Sequence, residues 1–441
     1  MTHGPDLLIA NTRVPACLLE DRDDEGGDIT VDIEIRDGKI AAISPPGTTA
    51  KSSPSAPPTP PGSMPKSRLP TLSAGMVWPG FVDLHTHLDK GHIWPRAENP
   101  DGTFAGAIDA VRADRRANWS ADDVRRRFDF GLRCAYAHGT VAIRTHLDCE
   151  PPQHRISLPV FQELRDAWAG RIALQAVSLL PIDRMDEPLS TEIADQVADV
   201  GGVLGAVTFM VPDLAARLDR VFRLAAERGL DLDFHVDETD DPMATSLREI
   251  ALAALRNRFT GKIVSGHCCS LARQPPRAVA LTLGLVREAG IAVVSLPMCN
   301  LYLQDRVPGR TPRWRGVTLL HELAAQNTPV ALASDNCRDP FYAFGDHDML
   351  EVFREAVRIG HLDRPLGSWP RAVTATPADI MGLENHGRIA VGAPADLVLF
   401  GARNANELLS RPQSDRIVLR AGRPIDRRLP DYQELDGQRS T

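Results

Sequence analysis

Between residues 76 and 335 the chain alternates apolar runs of strand length with stretches of helical period, and this alternation constrains the fold more than any other feature. The runs lie at 79–87, 140–146, 172–179, 203–211, 232–235, 263–267, 291–296 and 329–334. After the fourth, Leu214, Leu218, Val221 and Ala225 recur at helical spacing and Gly229 supplies a stop, predicting a helix over 214–228. A second helix is predicted over 346–359, with Leu350, Phe353 and Val357 on one face and Gly360 after it. Strands that alternate with helices pair in parallel through crossovers, and eight such units fit a closed (β/α)8 barrel of the TIM type. A doubly wound open sheet is the competing arrangement, but no glycine-rich phosphate-binding fingerprint follows the first run.

The two ends of the chain read differently. Short β runs at 7–9, 29–35 and 39–43, the last two joined by Asp37-Gly38, form a hairpin pattern. Residues 387–400 and 416–425 return to short β runs with Gly and Pro turns. Both ends are expected to pair into one small β-sandwich domain, so that 1–75 and 387–441 enclose a barrel over 76–386. Residues 45–70 are rich in Pro and Ser and read as a surface linker with partial disorder.

A length of 441 residues suits such a barrel with its accessory domain. The net charge of −8 argues against a nucleic-acid or anionic-membrane surface and favours small-molecule partners. No run approaches the ~18 apolar residues of a membrane span, and the N-terminus lacks a basic segment followed by an apolar one, so a cytoplasmic location is expected. The seven cysteines are scattered except for Cys268-Cys269 and read as reduced thiols. They lack the C-x-x-C spacing of a zinc cage or of the cysteine-ligated zinc deaminases.

The first run ends in His85-Thr86-His87. On a strand these two imidazoles project from one face about 7 Å apart and can share one metal ion. They can equally be ordinary strand-end histidines. The other runs separate these readings: His235 ends the fifth, His267 the sixth, and Asp335 follows the eighth. A barrel brings the C-terminal ends of its strands to one face, so all five converge. Glu238 lies three residues past His235, within reach of the same pocket, where a carboxyl can move protons.

The segments F-V-D-L-H-T-H-L-D, R-T-H-L-D at 144–148, H-V-D-E-T-D-D at 235–241, S-G-H, S-D-N-C-R-D-P-F-Y-A-F-G at 334–345 and G-R-I-A-V-G-A-P-A-D-L-V-L-F resemble the amidohydrolase superfamily. Within it they are similar to the cytosine deaminase family, in order over roughly residues 75 to 400. The resemblance implies one divalent ion, zinc or iron(II), held by His85, His87, His235 and Asp335. It further implies metal-hydroxide attack: Asp335 accepts the water proton, His267 orients the hydroxide, Glu238 protonates the ring nitrogen, and ammonia leaves. Hydantoinase-like members carry a bridging lysine on the fourth strand; 203–211 has none, which implies a single ion. The implied activity is hydrolytic deamination of an aminated nitrogen heterocycle: cytosine-like, pterin, purine or triazine. Family members are commonly homo-oligomers, which is the expectation here.

Several positions depart from the cytosine deaminase pattern. Its third-strand glutamine aligns with Leu180, Pro181 or Ile182, none of which can read an amide edge. Its second aspartate becomes Asn336, a pocket tryptophan becomes Phe341, and a threonine becomes Lys90. Lys90, His146, Asn336 and Phe341 are therefore the candidate substrate-contacting residues, with Lys90 a cationic donor for a carbonyl or carboxylate. For Lys90 the competing reading is solvent exposure or pairing with Asp89 or Asp148, and for His146 a place behind the ligands. His92, His138, His347 and His361 read as surface or structural residues. Two further functions fit the same residues: release of an alkylamine or cleavage of a cyclic amide on this fold, and a barrel retained as a non-catalytic binding module.

Overall fold

A computed structural model describes residues 6–20, 26–48, 71–73, 75–185 and 188–436. The barrel strands are β1 (Phe81–Thr86), β2 (Thr140–Asp148), β3 (Ala173–Leu179), β4 (Leu204–Thr208), β5 (Leu232–Val236), β6 (Ile263–His267), β7 (Ile291–Ser295) and β8 (Val330–Leu332). Every residue of β1, β2, β5, β6 and β7 is buried, as befits parallel strands covered on both faces. Strands β1–β3 pair in one parallel arc and β4–β8 in another. Parallel bridges join the arcs at both seams, Val177 with Val203 and Thr86 with Asp335. At the second seam the Asp335 amide donates to the His85 carbonyl at 2.8 Å. The eight strands thus form a ring.

The run at 203–211 contributes only five strand residues, because Phe209 and Met210 past its end are exposed at the barrel mouth. The helix Leu214–Arg228 ends as its sequence predicts, with Gly229 in the left-handed region at φ 64°. The helix predicted at 346–359 runs instead over Met349–Gly360. Asp348 caps its start by accepting the Leu350 amide, and His361 (φ 53°), not Gly360, turns the chain at its end. Gly360 serves packing: a Cβ there would lie 2.8 Å from Leu320 Cδ1.

Strands from both chain ends are hydrogen-bonded in a single eight-stranded sheet rather than in two separate sheets. Asp37 and Gly38, at φ 50° and 79°, make the tight turn between Asp28–Arg36 and Lys39–Ser44. Met76–Pro79 belongs to this sheet, pairing with Leu397–Phe400, so the barrel starts at Phe81 rather than at 76. Most of the Pro- and Ser-rich stretch, 49–70, lies outside the described residues.

Candidate active site

The ring brings His85, His87, His235 and Asp335 to one point at the C-terminal mouth. His85 Nε2 lies 3.1 Å from His235 Nε2, which lies 3.2 Å from His87 Nε2. Asp335 Oδ1 is 3.2 Å from His87 Nε2 and 3.7 Å from His85 Nε2. Asp335, at φ 62°, is fixed by its amide on the His85 carbonyl and by Thr86 Oγ1, which donates 2.8 Å to its carbonyl. All four side chains are buried.

Their chemistry fits a divalent cation. Burial holds the three imidazoles neutral, well below their ordinary pKa, and pushes Asp335 up to about 7. Asp335 meets no N–H or O–H donor, and only the weakly donating Cys299 thiol reaches its carboxylate. A buried carboxylate so weakly held is stable as an anion only beside a positive charge. Nitrogens about 3 Å apart form the edge of a coordination polyhedron whose metal–nitrogen bonds are about 2.0–2.1 Å.

Glu238 and His267 stand beside this cluster, bridged by a residue that sequence reasoning missed. Asn300, on the short helix Pro297–Leu303 after β7, donates from Nδ2 to Glu238 Oε1 at 3.1 Å and lies 3.0 Å from His267 Nδ1. As an acceptor at Nδ1, neutral His267 carries its proton on Nε2, the nitrogen left without a partner. Burial and the nearby Asp335 carboxylate push Glu238 well above the ordinary carboxyl range, with Lys90 and Asn300 opposing. The result is a carboxyl that keeps its proton to higher pH than an exposed one, next to an oriented imidazole. Nothing in the sequence marks Asn300, which lies past a strand end in no motif.

A cavity of about 430 Å³ opens from these groups, large enough for a bicyclic heterocycle. Lys90, Asn336 and Phe341 line it, as does Phe104, whose ring meets Phe341 edge-on with centroids 5.6 Å apart. Lys90 does two things at once: its Nζ lies 3.3 Å from Asp148 Oδ1 and 5.2 Å from the centre of the Phe341 ring. Burial works against its charge, but Asp148, Asp89 and Asp339 outweigh that cost and keep it an ammonium. Asn336 Nδ2 donates to Asp339 Oδ2 at 2.7 Å.

His146 requires a correction, because it does not line the cavity. Its ring stacks on His85, centroids 3.8 Å apart, and is fully buried behind the cluster. Beneath it Arg144 reaches Asp233 at 2.9 Å and Gln175 at 3.0–3.1 Å, filling the barrel interior with a neutralised polar layer. That glutamine is the amide of β3, and it faces Arg144 rather than the cavity. Sequence reading also missed the charged outer wall of Arg112, Arg115, Glu150 and Arg184. These residues lie on helices and loops, where no strand-end pattern singles them out. Of the histidines assigned surface or structural places, His92 and His347 are buried, His138 meets Asp346 at 2.7 Å, and His361 is exposed.

Fold and donor set together define a barrel hydrolase of the metal-dependent kind. The sequence profile of the amidohydrolase family matches residues 183–426, over half of the chain. A pterin deaminase of Rhizobium rhizogenes is 58% identical over 433 residues, 98% of this chain and 96% of that one. An N-isopropylammelide isopropyl amidohydrolase of Pseudomonas sp. is 25% identical over 79% of this chain and 86% of its own length. The crystal structure of 5-methylcytosine deaminase from Klebsiella pneumoniae with phosphonocytosine superposes with a TM-score of 0.78 at 24% identity, covering 96% and 98% of the two chains. The chain belongs to the amidohydrolase family. It is a hydrolase of non-peptide carbon–nitrogen bonds that deaminates small nitrogen heterocycles, and deaminases of this family are metal-dependent. Among the described residues no helix is long and apolar enough to cross a membrane.

Proposed function

We propose that the substrate is a pterin, whose exocyclic amine is hydrolysed with release of ammonia. The observation that carries this reading is the 58% identity to a pterin deaminase over nearly the whole of both chains, against 25% for the ammelide-acting relative. The cavity agrees with it: room for a fused ring system, an aromatic wall of Phe104 and Phe341, and no amide at the end of β3 to read a cytosine edge.

One divalent ion, zinc or iron(II), would be held by His85, His87, His235 and Asp335, and its chemistry there is to lower the pKa of a bound water toward neutrality. The chain's own residues do the rest. Asp335 takes the proton released from the water, and His267, with its Nε2 proton, orients the attacking oxygen. Glu238 delivers a proton to the ring nitrogen beside the attacked carbon, and Asn300 keeps its carboxyl and the His267 ring in register. Lys90 points an ammonium at an acceptor on the substrate, such as the pterin carbonyl, while Phe341 and Asn336 shape the wall beside it. His146 holds the His85 ring by stacking from behind. The reading includes a homo-oligomer in the cytoplasm.

The test is ammonia release from pterin, cytosine, guanine and N-isopropylammelide, with products identified by mass. Pterin should have the highest kcat/KM. A tenfold preference for cytosine or guanine overturns the substrate assignment, and isopropylamine released in preference to ammonia establishes the alkylamine-releasing alternative that the ammelide-acting relative favours.

A further inference from the structure

A second set of metal-competent side chains lies away from the converging donors. His92 follows β1, Cys337 follows β8, and His347 precedes the helix Met349–Gly360. One donor atom from each lies within 4.8 Å of the others, and all three residues are buried. Both ring nitrogens of His92 and both of His347 lack a hydrogen-bond partner. Four orphaned ring nitrogens in one buried cluster are costly, because buried polar groups ordinarily find a partner.

The surrounding structure is built to hold these rings in place. His92 and His347 both occupy the left-handed region, at φ 65° and 54°, where a non-glycine residue is held against its preference. The His92 amide donates to the Cys337 carbonyl at 3.0 Å, and the Trp94 amide to the Arg338 carbonyl at 2.8 Å, so two loops run side by side. The rings of His92 and His347 are 5.4 Å apart and inclined at 54°, which is not a stacked pair. On the helix Ala121–His138, Gly131 faces them: a Cβ there would lie 3.0 Å from His347 Nε2. Phe130 closes the side beyond His92, centroids 4.8 Å apart.

We propose that His92, Cys337 and His347 bind a second, structural zinc ion that fastens the loop after β1 to the loop after β8. Two imidazoles and one thiolate are a borderline-soft donor set that favours zinc over magnesium or calcium. The fourth position falls to a water. The ion lies between the segments that deliver Lys90 and, beside it, Asn336 and Phe341 to the cavity, so it is a clamp on the substrate site and takes no part in the reaction.

Metal analysis of the full-length protein, zinc-loaded and freed of loose metal by gel filtration, tests this. The parent should hold two zinc equivalents, and Cys337→Ser and His347→Gln one each. In cobalt-substituted protein the clamp should give a near-ultraviolet thiolate-to-cobalt charge-transfer band, because the other donor set has no sulfur among its four ligands. Cys299 lies beside Asp335 and is the control: the band should vanish in Cys337→Ser and persist in Cys299→Ser. One equivalent in the parent with no thiolate band overturns the proposal, as does a band lost with Cys299→Ser and kept with Cys337→Ser. The parent measurements need no variant, so a substitution that fails to fold leaves the question answerable.

Discussion

Replacing Glu238 by glutamine isolates one proton transfer. The substitution preserves shape, and the side-chain carbonyl still accepts the Asn300 Nδ2 hydrogen now directed at Oε1 from 3.1 Å. No cavity is opened and no converging donor is touched, so the metal content should equal that of the parent. What disappears is a carboxyl that burial and Asp335 hold well above its ordinary range, and with it the acid that serves the ring nitrogen. A positioned general acid contributes about 10²–10⁴ in rate, so kcat on pterin should fall by that factor, roughly 3–5 kcal/mol of barrier. Stability should move the other way. Because the folded pKa of Glu238 is raised, ionising it costs the fold nothing below the ordinary unfolded value and progressively more as pH rises toward the folded value. Glu238→Gln should therefore match the parent at low pH and equal or exceed it in Tm above that value. Ammonia release and metal analysis on the same preparation decide the matter: activity within tenfold of the parent with metal retained would refute the proton-transfer role.

Four further outcomes are expected. His235→Ala removes the donor whose Nε2 lies within 3.2 Å of both other imidazoles, and the protein should purify without the catalytic ion; a full complement of metal there would overturn the ligand set. Asn300→Ala loses contacts to both Glu238 and His267, worth about 2 kcal/mol together, so kcat/KM should drop roughly 30-fold with metal content unchanged. Lys90→Thr should raise KM and destabilise by about 3 kcal/mol, the low end for breaking a buried pair, because Arg115 still meets Asp148 at 2.9 Å; an unchanged kcat/KM removes Lys90 from substrate recognition. Chelation should abolish ammonia release, and added zinc or iron(II) should restore it, the ion giving the higher kcat identifying the better catalytic metal.

The ring of eight strands was legible because apolar runs of strand length alternate with stretches of helical period along the chain, and the converging donors because each sits at or just past a strand end. Strand limits were less legible. Phe209 and Met210 are apolar yet exposed, so hydrophobicity extended β4 beyond its hydrogen bonds. Gly360 looked like a helix stop, but its missing side chain makes room for Leu320, and the stop falls on His361. His146 resembled a cavity residue because it ends a strand segment as His85 does; its burial behind His85 depends on ring stacking between neighbouring strands, which one-dimensional spacing does not encode. Asn300 was missed for a related reason. Its role comes from two acceptors, 33 and 62 residues away, that only the closed ring brings within 3.1 Å.

The departures from the cytosine deaminase pattern also share a location. Lys90 lies three residues past His87 on one loop, and Asn336 and Phe341 lie one and six residues past Asp335 on another. Each loop is anchored at its start by metal-competent donors, so in the proposed function the strand ends carry the attack and the residues just beyond them select the substrate. Such loops drift unless something else holds them, because few barrel hydrogen bonds extend past the strands. Here the amides of His92 and Trp94 bond to the carbonyls of Cys337 and Arg338, and Lys90 is locked in a cage of buried carboxylates. Rigid placement matters because an ammonium discriminates between acceptors only when it cannot follow the wrong one. A barrel of this kind can therefore change its substrate by exchanging a few loop residues while keeping its donor set, provided that the two loops remain fastened to each other.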